Sequence, residues 1–155
     1  MKALGTFYRY WLTLLFVAVI AQIAGAAYGA FYAAQKLGDQ KGPDEHKLIS
    51  EKAFDHGFGF HIAFGYIIFL ASIVLLLLAL AARVGKRRLL FAVAVPVAVA
   101  VQIVLAWASE AVHAIGILHG LNALVILGLL GYRTGEEWRA QRAVPAANVG
   151  SDQKV

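Results

Sequence analysis

The chain has 155 residues, of which 61% are hydrophobic and 15% are charged, and it contains no cysteine. This length suits one domain, the low share of charged residues excludes an ordinary soluble surface, and the lack of cysteine excludes disulfides, thiolate metal sites and cysteine nucleophiles. The formal net charge of +5 does not indicate nucleic acid as a partner, because the basic residues stand beside long apolar segments, as membrane orientation requires.

Four apolar segments are long enough to cross a bilayer, which takes about 20 residues. They cover residues 10–34, 57–82, 89–108 and 111–132. A helix is the only open-chain structure that satisfies its own backbone in hydrocarbon. The sequence therefore predicts an all-α membrane protein, a four-transmembrane-helix antiparallel bundle formed by residues 1–134. We expect the first segment to remain as a span and not to be removed as a secretory signal.

The segments outside the spans are predicted to differ in order. An outer loop is expected over residues 35–56, and Pro43 with the acidic residues after it is a helix-start signal. A short outer helix is therefore expected to lead into the second span and to break or bend near Gly57. Residues 135–155 are polar and have no apolar period, so a disordered cytoplasmic tail is predicted there. No internal repeat is visible.

The distribution of charge predicts the orientation. The turn between the second and third spans carries four basic residues and no acidic one, and both terminal segments are basic. The first outer loop holds four basic and five acidic residues, and the last turn holds only Glu110. Because lysine and arginine collect on the cytoplasmic side, we expect a multi-pass protein of a bacterial-type inner (cytoplasmic) membrane with both termini cytoplasmic.

Two histidines inside the spans are the strongest candidates for function. An ionisable residue in a membrane is costly and by default marks a functional site. His61 lies about one turn below the outer end of the second span, and His119 lies about two turns below that of the fourth. If neighbouring helices are antiparallel, both histidines descend from the outer face to a similar depth. Two imidazoles facing each other across a bundle are typical axial ligands of a heme.

The neighbours of these histidines suit the same cofactor. Small residues let a helix backbone approach a porphyrin closely. The predicted cofactor-binding residues are His61, His119, Gly65, Gly116, Gly120 and Asn122, with both histidines as ligands of the iron of heme b. Phenylalanines are expected to line the apolar wall, namely Phe58, Phe60, Phe64 and Phe69. The heme propionates are expected at the outer surface, near Lys52, His56 or His113.

Simpler interpretations stay open. Histidine, glutamine and asparagine side chains also form hydrogen bonds between membrane helices without any cofactor, and Gln22 and Gln102 are predicted to do so. His56 and His113, with Glu110, stand near the outer interface, where they either contact solvent or propionates or form a small metal site. Enzyme and transporter functions are the third class, although the spans hold few polar residues for a pathway.

At these residues the chain resembles one four-helix half of heme A synthase, a family whose halves each hold a b-type heme between two histidines. Val101-Gln102 and the stretch from Leu118 to Ala123 also resemble a family of small, uncharacterised bacterial four-helix membrane proteins. The resemblance covers about residues 10–132. Carried over by position, it makes His61 and His119 heme ligands.

The chain also departs from heme A synthase. That family has a glutamate three residues before the histidine of the second helix, where this chain has Phe58. Its first outer loop usually carries a cysteine pair, and this chain has no cysteine. The resemblance therefore implies heme binding and argues against heme A synthesis.

The sequence favours a b-type heme protein for electron transfer, not a stand-alone catalyst. Two axial histidines leave the iron no open position for substrate. Expected partners are the lipid bilayer, other subunits of a respiratory or redox complex or a second copy of the chain, and a quinone or an extracytoplasmic redox protein. The alternative is a heme-free accessory subunit of a membrane complex.

The orientation can be tested with reporter fusions. A topology reporter placed after Arg88 or at the C-terminus should read cytoplasmic, because the basic segments are retained inside. A reporter inserted near Gly42 should read external. The opposite pattern would overturn the orientation.

Overall fold

A computed structural model describes residues 2–38 and 43–142, and all of its secondary structure is helical. The helices are α1 (Lys2–Gly38), α2 (Pro43–Ala81), α3 (Lys86–Ala111) and α4 (Ile115–Arg142). Each one contains a segment long and apolar enough to cross a membrane. The prediction of an all-α chain with four membrane-spanning helices is confirmed at this level, and the helices indicate a multi-pass membrane protein.

The first two helices are longer than the predicted spans. The helix-start signal at Pro43 is confirmed, since α2 begins there and runs for 39 residues without interruption. The predicted outer loop is therefore wrong over residues 35–38, which belong to α1, and over residues 43–56, and the predicted break near Gly57 is absent from α2. Residues 39–42 lie outside the described part of the chain. The residues between Pro43 and the apolar segment extend the helix of the second span toward its N-terminus.

The predicted disordered tail is wrong over residues 135–142, which belong to α4. Side-chain contacts hold this last part of the helix to its neighbours. Glu137 lies 2.7 Å from Arg133 and 2.9 Å from Arg88 at the start of α3. Trp138 Nε1 donates to Thr13 Oγ1 of α1 over 2.9 Å. The polar composition of this segment therefore reflects contacts between helix ends, and residues 143–155 lie outside the described range.

The helices contact one another in a ring. Helix α1 packs against α2 and α4, and α3 packs against α2 and α4. Within the described residues, α2 and α4 thus face each other diagonally across the bundle. Buried apolar side chains from all four helices form the core, among them Leu12, Leu75, Val95 and Leu130.

Helices α1 and α2 approach each other closely at two glycines. A Cβ added at Gly57 would lie 2.9 Å from the carbonyl oxygen of Gly29, and a Cβ at Gly29 would lie 2.7 Å from that of Gly57. Both contacts are with backbone, which cannot rotate away. The glycines therefore permit this crossing, as small residues commonly do between membrane helices.

The α1–α2 pair and the α3–α4 pair repeat the same pattern of burial, so the interpretation that the chain has no internal repeat was wrong. Buried positions of α1 correspond to buried positions of α3 at one constant spacing along the chain, and buried positions of α2 correspond to those of α4 at another. The pairs are Leu12 with Ala92, Leu15 with Val95, Val19 with Val99, Ile68 with Ile126, Ser72 with Leu130, Leu75 with Arg133 and Ala79 with Glu137. Few of these pairs are identical residues. The repeat is therefore one of position in the fold and is hidden in the sequence.

The glycine contact predicts a clear difference between two neighbouring substitutions. Gly57→Ala should destabilise the protein by about 1–3 kcal/mol, because the added methyl group forces two backbones apart. Thermal unfolding in detergent measures this loss. Gly59→Ala is the matched control, since a Cβ there meets no atom within 4 Å. Equal melting temperatures for the two variants would show that the close crossing does not contribute to stability.

Candidate functional site

His61 of α2 and His119 of α4 meet across the interior of the bundle. Their ring centres are 6.3 Å apart and their ring planes are inclined at 68°. The sequence predicted that these two side chains would face each other, and the structure brings them together. Phe58, one turn before His61, packs edge-on against its ring with the centres 6.3 Å apart.

Each histidine is held by a glutamine of the preceding helix through two hydrogen bonds. In the first pair, His61 Nδ1 lies 3.0 Å from the backbone oxygen of Gln22, and Gln22 Nε2 donates to the backbone oxygen of His61 over 2.7 Å. In the second pair, His119 Nδ1 lies 3.0 Å from the backbone oxygen of Gln102, and Gln102 Nε2 donates to the backbone oxygen of His119 over 2.9 Å. We call these pairs the first and second Gln–His clamps. They occupy corresponding places in the two helix pairs.

The clamps fix the tautomer of both histidines. A backbone carbonyl oxygen only accepts hydrogen bonds, so each Nδ1 must carry a proton and donate it. In a neutral imidazole, the other nitrogen then keeps its lone pair. Nε2 is therefore the free nitrogen of both His61 and His119. A histidine that ligates a metal commonly donates its other N–H to a backbone carbonyl in this way.

A cavity of about 570 Å³ adjoins both histidines, and most of its lining is apolar. This volume is in the range of small-molecule and cofactor sites. Both clamps, Gly65 and Gly120 line it. A Cβ added at Gly120 would meet no atom within 4 Å, whereas one at Gly65 would lie 3.1 Å from Gln22 Nε2. Gly120 thus leaves space open, and Gly65 makes room for the amide of Gln22.

The cavity extends from the histidines toward the last turn before α4. Ser109, Glu110 and His113 line it there, and Phe54 and Phe58 line it from α2. His113 is exposed, as propionate contact or solvation requires. His56 is also exposed, and its Nδ1 donates to the backbone oxygen of Lys52 over 2.9 Å.

Two predicted cofactor-binding residues do not reach the cavity lining. Gly116 faces α3, where its added Cβ would lie 4.0 Å from Ser109 Cβ. Asn122 Nδ2 donates to Gln102 Oε1 over 2.7 Å and to the backbone oxygen of Ala98 over 3.0 Å. Asn122 therefore supports the second clamp from behind. Its spacing of three residues from His119 placed it near the site but did not show which way its amide points.

Of the phenylalanines predicted as a wall, the structure places only Phe58 in the lining. Phe60 is exposed on the outside of α2 and stacks on Phe64, with ring centres 5.0 Å apart. Phe69 is partly buried against the apolar core. This difference could not be predicted from the sequence, because the four phenylalanines point in several directions around the helix.

Gln22 and Gln102 form the interhelical hydrogen bonds that the sequence predicted, but their pairing with the two histidines was not predicted. The signal that points to them is their position in the spans. Each is the only amide side chain of its span, and such a group seeks a partner inside the protein.

Within the described residues, no group of three or more His, Cys, Asp or Glu side chains is arranged to hold a metal ion. His113 and Glu110 therefore lack a third protein ligand of these types in the described part of the chain. The two histidines facing the cavity are a different kind of site, because a macrocycle brings four ligands of its own.

Comparisons of the chain with models of protein families, with curated proteins and with solved structures find no match. The resemblance to heme A synthase thus stays a prediction. The function has to be inferred from the side chains around the cavity.

Proposed function

We propose that this chain is a membrane b-type heme protein for electron transfer, with His61 and His119 as the two axial ligands. The observation that supports this most strongly is the separation of the two rings. A metal lies about 2 Å from an imidazole nitrogen, and that nitrogen lies about 1 Å from the ring centre, so two imidazoles on opposite faces of one iron have centres roughly 6 Å apart. The ring centres here are 6.3 Å apart.

The chemistry of the two rings supports the same assignment. Both have Nδ1 engaged by a backbone oxygen and Nε2 free to bind a metal. The inclination of 68° between the ring planes is compatible, since each ring can take any angle about its own bond to the iron. The apolar cavity beside them suits a porphyrin.

Bound there, heme b would supply a one-electron couple. The residues of this chain would hold it, exclude water from its faces and set the basicity of its ligands. If His61 and His119 both held the heme iron, no position would be left for a substrate, so electron transfer is favoured over chemistry on a bound substrate. The cavity opens toward Glu110 and His113, which favours exchange with a quinone or a redox protein at that end.

The proposal includes the arrangement of the chain in the membrane. We infer an antiparallel bundle with both termini cytoplasmic. Two contacts between α1 and α2 support it: Trp11 Nε1 donates to the backbone oxygen of Ala71 over 2.9 Å, and Gln22 pairs with His61. Residues advance along α1 while their partners go backward along α2. The basic residues of the α2–α3 turn then lie near both chain ends, at the predicted cytoplasmic side.

A heme-free accessory subunit is the second candidate. Two imidazoles in direct edge-to-face contact can have the same ring separation, and the clamps would stabilise helix packing without a cofactor. This candidate accounts for the hydrogen bonds. It offers no reason for the cavity beside the free Nε2 atoms.

Spectra of histidine variants test the proposal. Protein expressed with ample heme should show a Soret band and a six-coordinate, low-spin spectrum. His61→Ala or His119→Ala should each abolish that spectrum, because one remaining ligand cannot give bis-histidine coordination. Absorption spectra of purified protein, with heme content measured per chain, record the change.

His113→Ala and His56→Ala are the matched controls. Both remove an exposed histidine near the same end of the cavity, and both should shift the spectrum slightly at most. If wild-type protein shows no Soret band, the accessory-subunit function replaces the proposal. If His113→Ala abolishes the low-spin spectrum while His119→Ala keeps it, the ligand assignment is wrong.

A further inference from the structure

The two Gln–His clamps have the same form but different support. In the second clamp, Gln102 Oε1 accepts a hydrogen bond from Asn122, whose amide also donates to the backbone oxygen of Ala98. In the first clamp, Gln22 Oε1 is buried and has no hydrogen-bond partner among the described residues. Phe64 stands three residues after His61, where Asn122 stands after His119. The helix pair α1–α2 therefore lacks the third member of the network.

We propose that Gln22 and Gln102 are positioning residues for the two histidines and that the clamps are unequal, with His119 held more firmly than His61. The first part follows from the geometry of each clamp. The imidazole can leave its place only by turning, which breaks the Nδ1–H bond, or by a shift of its helix, which breaks the bond from glutamine Nε2. Each glutamine thus restrains both movements.

The inequality follows from the amide oxygens. Asn122 fixes the plane of the Gln102 amide, since both ends of that amide have partners. Gln22 is fixed at its nitrogen alone. A buried carbonyl oxygen without a donor carries its full desolvation penalty, so Gln22 gains when its side chain turns to meet water or another donor. His61 loses one of its two restraints each time that happens.

The consequence at the iron rests on the proposed function. If heme is bound between the two histidines, His61 is the ligand that leaves first when an external ligand competes. Carbon monoxide is a suitable probe. The bond from iron to His61 Nε2 breaks, the bond from iron to carbon forms, and the iron stays ferrous throughout.

Histidine ¹⁵N NMR tests the clamps in the protein without heme. Both rings should show a protonated Nδ1 and an unprotonated Nε2, and the Nδ1 proton of His61 should exchange with water faster than that of His119. Asn122→Leu should speed exchange at His119 roughly threefold, which corresponds to one interhelical hydrogen bond in a membrane, and leave His61 unchanged. Gln22→Met, which keeps the length of the side chain, should speed exchange at His61 alone.

Carbon monoxide binding tests the same order in protein loaded with heme. The binding rate of the reduced protein is limited by departure of the weaker ligand. Gln22→Met should raise that rate roughly threefold, whereas Asn122→Leu should change it by less than about twofold. Low-spin spectra before mixing show that each variant still holds both ligands.

The outcomes separate the two proposals. Protein with no Soret band but with unequal exchange at the two histidines overturns heme binding and keeps the clamps. Equal exchange at His61 and His119, with no effect of Asn122→Leu, overturns the unequal clamps even if heme binds. A low-spin protein in which Asn122→Leu, and not Gln22→Met, speeds carbon monoxide binding shows that His119 leaves first.

Discussion

Inside hydrocarbon, a polar side chain must find its hydrogen-bond partners within the protein, and the rest of this structure depends on that constraint. The glutamines of α1 and α3 and the histidines of α2 and α4 satisfy one another across each helix pair. The Nε2 atoms of both histidines stay free in the clamps, and they belong to two rings that meet beside a cavity. In the first clamp, Gln22 Oε1 is also left without a hydrogen-bond partner among the described residues. The same hydrogen bonds therefore join the helices and leave one nitrogen of each imidazole free.

The two helix pairs solve the same packing problem with different residues. Their buried positions correspond, yet toward its C-terminal end α4 buries Arg133 and Glu137, 7% and 8% exposed, where α2 buries Leu75 and Ala79. Glu137 forms an ion pair with Arg133 of the same helix and a second one with Arg88 of α3. At the other end of the bundle, α1 and α2 pack closely at Gly29 and Gly57. The repeat supplies the matching clamps. The two helix pairs differ in the contacts that hold their ends, which are ion pairs in one and a glycine contact in the other.

Long apolar segments were enough to predict four helices, and the ionisable residues within them selected His61 and His119, because both signals can be read along the chain. Helix ends were not predictable in the same way. Residues 43–56 and 135–142 are polar but helical. In the second of these segments, Glu136 and Glu137 pair with Arg87 and Arg88 of α3, and the sequence did not show this contact between helices. The direction in which a side chain points from its helix could not be predicted from the sequence either, as Gly116 and Asn122 show. The repeat stayed hidden because most of the corresponding buried positions share burial and not residue type.

The central claim is that one iron lies between His61 and His119. Anomalous scattering at the iron edge, from crystals of protein purified with its cofactor, tests it most directly. The account predicts one anomalous peak per chain between the two rings, about 2 Å from each Nε2, within flat density that fills the cavity. Density that shows the two imidazoles in direct contact, with no peak between them and no flat group in the cavity, would contradict it.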